Sequence, residues 1–475
     1  GINLFKSWTL TLLTFAQTLA IAGVMASCAG ALAAGMSSNI YSSRLSTDFD
    51  SKAFKKDKNS NLSGDFTMRN NQLVEEVGDV VGNQYWGDLN LEYSSGGGHD
   101  LIKKFSMSGR VNNEEQLLYS IPEAYLRYKW DESTLTFGRS VLEWGYLDAL
   151  WGFGKINNRK NFDFYEPGLE GLTGIMYQRE ASGMSFSLFG SLVYVPEMNP
   201  GQNYDEDKGT VTCQNPWCRP QAQTAPIDED NEVPIFYNIE YPEVTDVVFR
   251  YSAGAHLALD LGPVEIEAYG VRKPENQVSV MAEVYYENES QMAFVDVTPQ
   301  IYYHDVLGAN MKVKLADQIT AYGGGMSVTP NTYPDGSDHE IIEYTGLKPK
   351  KKKEDYLGAG AFYENERLKG GIHYVARVSP YDLEDDLLVE YPRWNQAYNI
   401  NISSLLTRKL SVAFDYKYDM LTEDRITMFS GSYNVSSNMM ASAGVNMIGT
   451  SDDVDSFWSD FSNNDSVYAS LKYQF

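Results

Sequence analysis

Apolar and polar residues alternate one by one over long stretches of the chain. In "VVFRYSAGAHLALDLG", Val247, Phe249, Tyr251, Ala253, Ala255, Leu257 and Leu259 share one face, while Arg250, His256 and Asp260 share the other. In "KLSVAFDYKYDM", Leu410, Val412, Phe414, Tyr416, Tyr418 and Met420 oppose Asp415, Lys417 and Asp419. "EAYLRYKW" sets Ala124, Leu126, Tyr128 and Trp130 against Glu123, Tyr125, Arg127 and Lys129. The last residues, "DSVYASLKYQF", place Val467, Ala469, Leu471, Tyr473 and Phe475 on one side. A period of two is the signature of extended strands with two different faces.

The apolar faces of these strands carry no charge. Many of the strands are about ten residues long, enough to cross a bilayer at a tilt. Aromatics gather at strand ends, at Trp130, Tyr194, Tyr374, Tyr418, Tyr473 and Phe475, as in an interfacial girdle. A soluble sandwich shares the alternation, but its strands run to about 5–6 residues. Short turns follow Trp130, Arg179, Leu259, Leu315, Tyr363, Leu406 and Val435. Long polar segments near 140–170, 196–245, 274–305, 329–355, 379–395 and 449–465 lie between them. The pattern predicts an all-β fold, a transmembrane antiparallel up-and-down β-barrel with short periplasmic turns and long extracellular loops. The expected strand number is about 18, within about 16 to 20. The spread arises because "VSVMAEVYYE" and "QMAFVDVTPQIYYH" read equally as two wall strands or as part of one loop. The short segment "LTED" after Met420 is the one short connection expected at the outer end.

The closing "SLKYQF" resembles the terminal strand of bacterial outer-membrane barrels, which end on Phe or Trp after alternate apolar residues. That resemblance implies that the barrel-assembly machinery reads Leu471, Tyr473 and Phe475 as an insertion signal. "LTFGRSVLEWGYLDALWGFGKINNRKNFDFYEPGLEGLTGIMY" resembles a Gly-Arg-Gln segment of porin-like families such as alginate-export channels. Gly138 and Arg139 match it, Ser140 stands where Gln is usual, and Trp144-Gly145 follow. The resemblance covers about forty residues; it implies a porin-like barrel and names no solute.

Composition fits this picture. The charged fraction is 21% and the hydrophobic fraction 43%, which excludes a helical membrane protein, and Tyr (33) and Gly (39) are abundant. A net charge of −26 argues against nucleic acid as a partner. The N-terminal run, with Lys6 as its one charge and a small-x-small site at Ala31-Leu32-Ala33, predicts a secretory signal over 1–33. A single barrel domain then spans 34–475. A membrane anchor helix is the alternative for that run, and lipidation of Cys28 a further one. The expected location is the outer membrane of a Gram-negative bacterium.

A barrel of this size is too wide for its own side chains to fill. The width implies a channel for passive diffusion of small hydrophilic solutes or ions, anionic or sugar-like. A surface, scaffold or adhesion barrel with an occluded lumen and a polysaccharide exporter are the alternatives. The inward, pore-lining charges are expected to be Arg110, Glu123, Arg127, Lys129, Arg250, Asp260, Lys312, Lys314, Arg377, Asp415 and Lys417. They make the lumen mildly basic beneath an acidic outer mouth. Cys213 and Cys218 in "CQNPWC" are expected to bridge, since an exported chain meets oxidising conditions. Trp217 beside them serves either to pack the loop or to stack on sugar rings.

Lys350 to Lys353 form either a solvated loop or a contact with lipopolysaccharide phosphates. The expected partners are outer-membrane lipid, lipopolysaccharide, the assembly machinery and small hydrophilic solutes, with homo-oligomerisation left open. No catalytic residue, no metal and no cofactor is expected. The five histidines fall in no nucleophile constellation, and "GRSVLEWG" lacks the Gly-x-Ser-x-Gly elbow.

Overall fold

The computed structural model describes residues 60–475 except 76–81, 97–99, 114–115, 198–201, 214, 219–220, 227–230, 288, 332–345, 348–350, 380–391 and 452–453. The signal segment and Cys28 therefore lie outside the described residues. Eighteen strands pair with their neighbours into one wall, antiparallel throughout. The first strand, Ser60–Leu73, pairs with Asn83–Ser95 and also with the last, Ser466–Gln474, so the sheet has no free edge. Closure removes the unpaired backbone groups that lipid could not satisfy. Phe66 faces Tyr473 across the seam, and Phe475 exchanges backbone hydrogen bonds with Gly64 at 3.0 and 3.1 Å.

The two faces separate as the alternation requires. Leu257, Leu307, Ile372, Phe429 and Leu471 point outward and are exposed. His256, Asn310, His373, Asp419 and Asn446, on the opposite parity, are buried inside. Aromatics ring both ends of the outer face. At the short-turn end Tyr128 stacks on Trp130 at 5.6 Å and Tyr473 on Phe475 at 6.4 Å. At the long-loop end Tyr374, Tyr398 and Tyr418 stand side by side on three strands, and Tyr251 packs on Tyr303 at 5.0 Å. This outer band fits a hydrocarbon slab flanked by two interfaces. Among the described residues no helix is long and apolar enough to cross a membrane.

One point left open by the sequence is decided, and two details depart from the reading. The stretches at 279–300 are not wall strands: Ser279–Glu287 and Met292–Gln300 form a hairpin within a separate five-stranded sheet carried by the long loops. Val233, Ile235 and Tyr237 of that sheet share a small core with Tyr204 and Val211 of the separate hairpin Gln202–Asp205 and Thr210–Cys213. The alternation around residue 247 breaks into the short helix Val244–Val248, which buries Val247 and Val248. Tyr194 is not part of a girdle. It is buried among loops and donates its hydroxyl to the Glu275 carbonyl at 2.7 Å.

Candidate functional site

The segment between the strands Ser133–Ser140 and Leu172–Ala181 does not stand outside the barrel. It folds into the lumen, and salt bridges and hydrogen bonds fix it there. At its base the Arg139 guanidinium meets Glu170 at 2.8 Å and donates to the Gly171 carbonyl at 2.9 Å. Both charges are buried, so loss of either would strand the other. Gly145 adopts a left-handed φ of 72° and turns the chain into the helix Tyr146–Trp151, closed by Gly152 at φ 63°. Asp148 folds the chain back by accepting the backbone N–H groups of Lys155 and Ile156 at 2.8 and 3.0 Å. Burial pushes its carboxyl up, against the pull of those two donors. Farther on, Arg159 forms a buried pair with Glu197 of the next long loop at 3.2 Å.

The wall holds this loop on one side. Glu267 accepts from Asn310 at 2.7 Å and from the Tyr146 N–H at 3.3 Å, and lies 3.1 Å from His256 Nε2. Trp144 lies flat on the His256 ring, 5.5 Å between centroids. Leu147 and Trp151 then sink into an apolar cluster with Val306, Val328, Tyr356 and Val375 of the wall. Trp151 touches Trp394, which touches Trp458. The disulfide Cys213–Cys218 frames Trp217, which is buried against Phe164, Tyr165 and Phe461. Trp217 therefore packs loops together. One half of the barrel is thus filled by side chains.

The other half is open. Between the inserted loop and the first three and last five wall strands lies a cavity of about 550 Å³. Its wall side is polar, with Asn90, Ser108, Asn399, Asn401, Ser430 and Ser470. Arg110 grips Asp88 through two nitrogens at 2.6 and 3.0 Å and lies over the Trp86 ring. Arg69 stacks on Tyr468, 3.7 Å above the ring centroid. Lys417 stands 3.6 Å from Asp415, and Lys472 stands 3.6 Å from Asp65. The loop contributes Lys160, Asp163 and Glu166, and Arg393 reaches in from the segment before Trp394. Burial pushes the Asp163 carboxyl up, while Arg69 and Arg110 draw it down.

The structure brings only some of the expected residues to this cavity. Arg110, Asp415 and Lys417 line it. Glu123 is on the inner face, paired with Lys104 at 2.5 Å, and Arg127 donates to Thr136 at 3.1 Å. Lys312 lies 3.1 Å from Glu265, with Tyr146 of the inserted loop over it. Lys129, Asp260 and Lys314 are exposed beside the short turns. Arg250 precedes the strand Ser252–Asp260 and sits in the loop that leads to it. Arg377 is buried at the long-loop end, in a second, smaller pocket. Leu471, Tyr473 and Phe475 are exposed on the outer face. Arg69 was legible from the alternation of "GDFTMRNNQ"; Lys160, Asp163, Glu166 and Arg393 carried no such signal, because they belong to loops. Among the described residues no group of three or more His, Cys, Asp or Glu side chains could hold a metal ion.

No family model matches the chain, and no curated protein matches it. Solved structures resemble it in fold. Pseudomonas aeruginosa OccD3 (OpdP) aligns over 87% of this chain and 90% of its own, at 11% identity and a TM-score of 0.45. Pseudomonas aeruginosa OccK11 (OpdR) aligns over 87% and 96%, at 10% identity and 0.45. Salmonella typhi OmpF aligns over 87% and 97%, at 12% identity and 0.41. The architecture here is a closed antiparallel β-barrel of eighteen strands. Its chemistry resides in the side chains that line this particular lumen.

One loop group of the barrel makes a pH-dependent contact. Asp424, in the turn after Met420, accepts from the hydroxyls of Thr422 at 2.6 Å and Ser456 at 2.8 Å. Burial pushes its carboxyl up to about 6, those hydroxyls pull it down, and Asp419 adds to the rise. The folded value exceeds the unfolded one of about 3.9. The stability it gives is therefore full below about pH 4 and is lost as pH rises through about 6. Asp424→Asn should gain on the parent chain over that window, by up to about 1.4 kcal/mol per pH unit. Urea unfolding in detergent at several pH values checks this; a pH-independent difference would contradict it.

Proposed function

We propose that this barrel is a passive channel in the outer membrane of a Gram-negative bacterium, carrying small hydrophilic solutes or ions through the crescent between the inserted loop and the polar wall. The observation that carries the reading is the 550 Å³ cavity lined by Asn, Ser and charged side chains inside a closed, externally apolar wall. A lumen meant only for rigidity would be packed on both sides, as its other half is. The lining holds Arg69, Arg110, Lys160, Arg393, Lys417 and Lys472 against Asp88, Asp163, Glu166 and Asp415. Rings of charge set ion preference, so a mild preference for anions is expected. The loops "NYDEDKG" and "SDDVDSFWSDF" are rich in acids.

The rest of the reading is continuous with this. The chain is exported on a cleaved signal over 1–33, and the assembly machinery engages the outward-facing residues Leu471, Tyr473 and Phe475 of the last strand. The long loops then face outward and the short turns face the periplasm. Reconstitution of the purified protein in planar bilayers tests the function. Stepwise conductance with a reversal potential displaced toward anions is expected. A strong cation preference that survives neutralisation of the loop acids would overturn the basic lumen. The apolar packing of one half favours a second reading, an occluded scaffold barrel, and an absence of conductance would establish that instead.

A further inference from the structure

The sheet carried by the long loops has two unlike faces. One is covered: Val233, Ile235, Tyr237, Ala293 and Val295 pack with Tyr204 and Val211 of the neighbouring hairpin. The other bears a row of aromatic rings. Phe236 on the strand Glu232–Ile239 stands beside Phe294 on Met292–Gln300, and Phe294 stands opposite Tyr285 on Ser279–Glu287. The ring centroids are 5.6 Å apart in the first pair. In the second they are 5.4 Å apart, with the ring planes only 11° from parallel. Tyr285 is 47% exposed, and Phe236 and Phe294 are half-buried.

The charge around this row has one sign. Strand alternation puts Glu232, Glu283, Glu287 and Asp296 on the same face as the rings. The three strands place no lysine or arginine there. Glu283 and Asp296 are direct cross-strand partners, and like charges so placed destabilise a sheet. Among the described residues neither is in a salt bridge; Asp296 accepts from the neutral Asn238 amide at 3.0 Å. Glu287 accepts from the Ser290 hydroxyl at 2.7 Å, and Glu232 from the Thr224 hydroxyl at 2.7 Å.

We propose that this face docks an arginine-rich polypeptide segment. A guanidinium stacks flat on an aromatic ring while its N–H fork reaches a carboxylate. The row offers both at once. Glu287 lies just beyond Tyr285 on one side of it, and Glu283 and Asp296 lie on the other. A cation seated between Glu283 and Asp296 also relieves their mutual repulsion, which no neutral ligand does. Exposed apolar surface rimmed by polar groups is the mark of an interaction site. The face belongs to the loop sheet and not to the wall, so the hydrocarbon that covers the wall does not cover it.

Fluorescence anisotropy of a labelled hexa-arginine peptide, titrated with the full-length protein in a neutral detergent, tests the docking face. Saturable binding that weakens as salt rises is expected. Glu283→Gln with Asp296→Asn should weaken it about fivefold. Glu366→Gln with Asp317→Asn removes two exposed acids from the short turns instead and should leave it unchanged. Tyr285→Leu keeps an apolar side chain without the ring and should weaken binding about two- to fivefold. Tyr285 is exposed, so this variant keeps the test usable if the double variant does not fold. Absence of saturable binding, equal weakening by the two neutralised pairs, or full affinity in Tyr285→Leu would each overturn the assignment. Saturable binding of a neutral glucose oligomer, with none of the peptide, would give the face to saccharides instead. Binding is read without a membrane current, so its failure and a failed conductance measurement refute different claims.

Discussion

Replacing residues 146–152 by a short Gly-Ser linker should raise single-channel conductance several-fold. The helix Tyr146–Trp151 and its flanks divide the lumen, filling one side and leaving the crescent on the other. Its hold on the wall is specific: the Tyr146 N–H on Glu267, Trp144 on His256, and Leu147 and Trp151 among wall aliphatics. Without it, a larger share of the width of an 18-strand barrel is open to ions. The same change exposes inward Val306, Tyr356 and Val375, which are now buried, so the barrel should also unfold at lower urea. Planar-bilayer recording beside a urea titration reads both effects. Unchanged conductance in a folded variant would mean that the ion path does not pass the loop.

Placing a charge on the outer face should be costly, while its inward neighbour tolerates one. Leu257 is near the middle of the strand Ser252–Asp260, points outward, and faces Phe186 on the adjacent strand. Leu257→Arg should cost about 2–4 kcal/mol if this position sits near mid-bilayer. Ala258→Arg, one residue on and facing the lumen, should cost clearly less, since water can reach the side chain. Unfolding of both variants in lipid vesicles separates them. Equal costs would place Leu257 away from hydrocarbon.

The wall was legible because lipid and water impose opposite demands on successive residues. Leu257, Phe414 and Leu471 fall where period two puts them, and the turns after Trp130, Leu315 and Leu406 fall where polar residues interrupt it. The pattern also left one point open. Val284 and Val295 alternate as a wall strand would, yet serve a loop sheet, because any half-buried sheet has the same period. The helix Val244–Val248 shows the converse, a short run too brief to declare a period. The lumen's contents were hidden for another reason. A loop's entry into a barrel depends on partners remote in sequence, such as Glu197 for Arg159 and Trp394 for Trp151. Gly138-Arg139 marked the right place, but the role of Arg139 as the loop's buried anchor appears only with Glu170 beside it.

Thiol modification during single-channel recording tests the conducting crescent most directly. Ser470 lines the cavity, and the next residue, Leu471, faces outward at 45% exposure. Cys213 and Cys218 are bonded to each other, so a Cys28→Ser background leaves the introduced thiol as the reactive one. With a bulky water-soluble thiol reagent, current through Ser470→Cys should fall in one step, while current through Leu471→Cys should stay constant. Block at Leu471→Cys, or none at Ser470→Cys despite full labelling, would contradict a water path between the inserted loop and this wall.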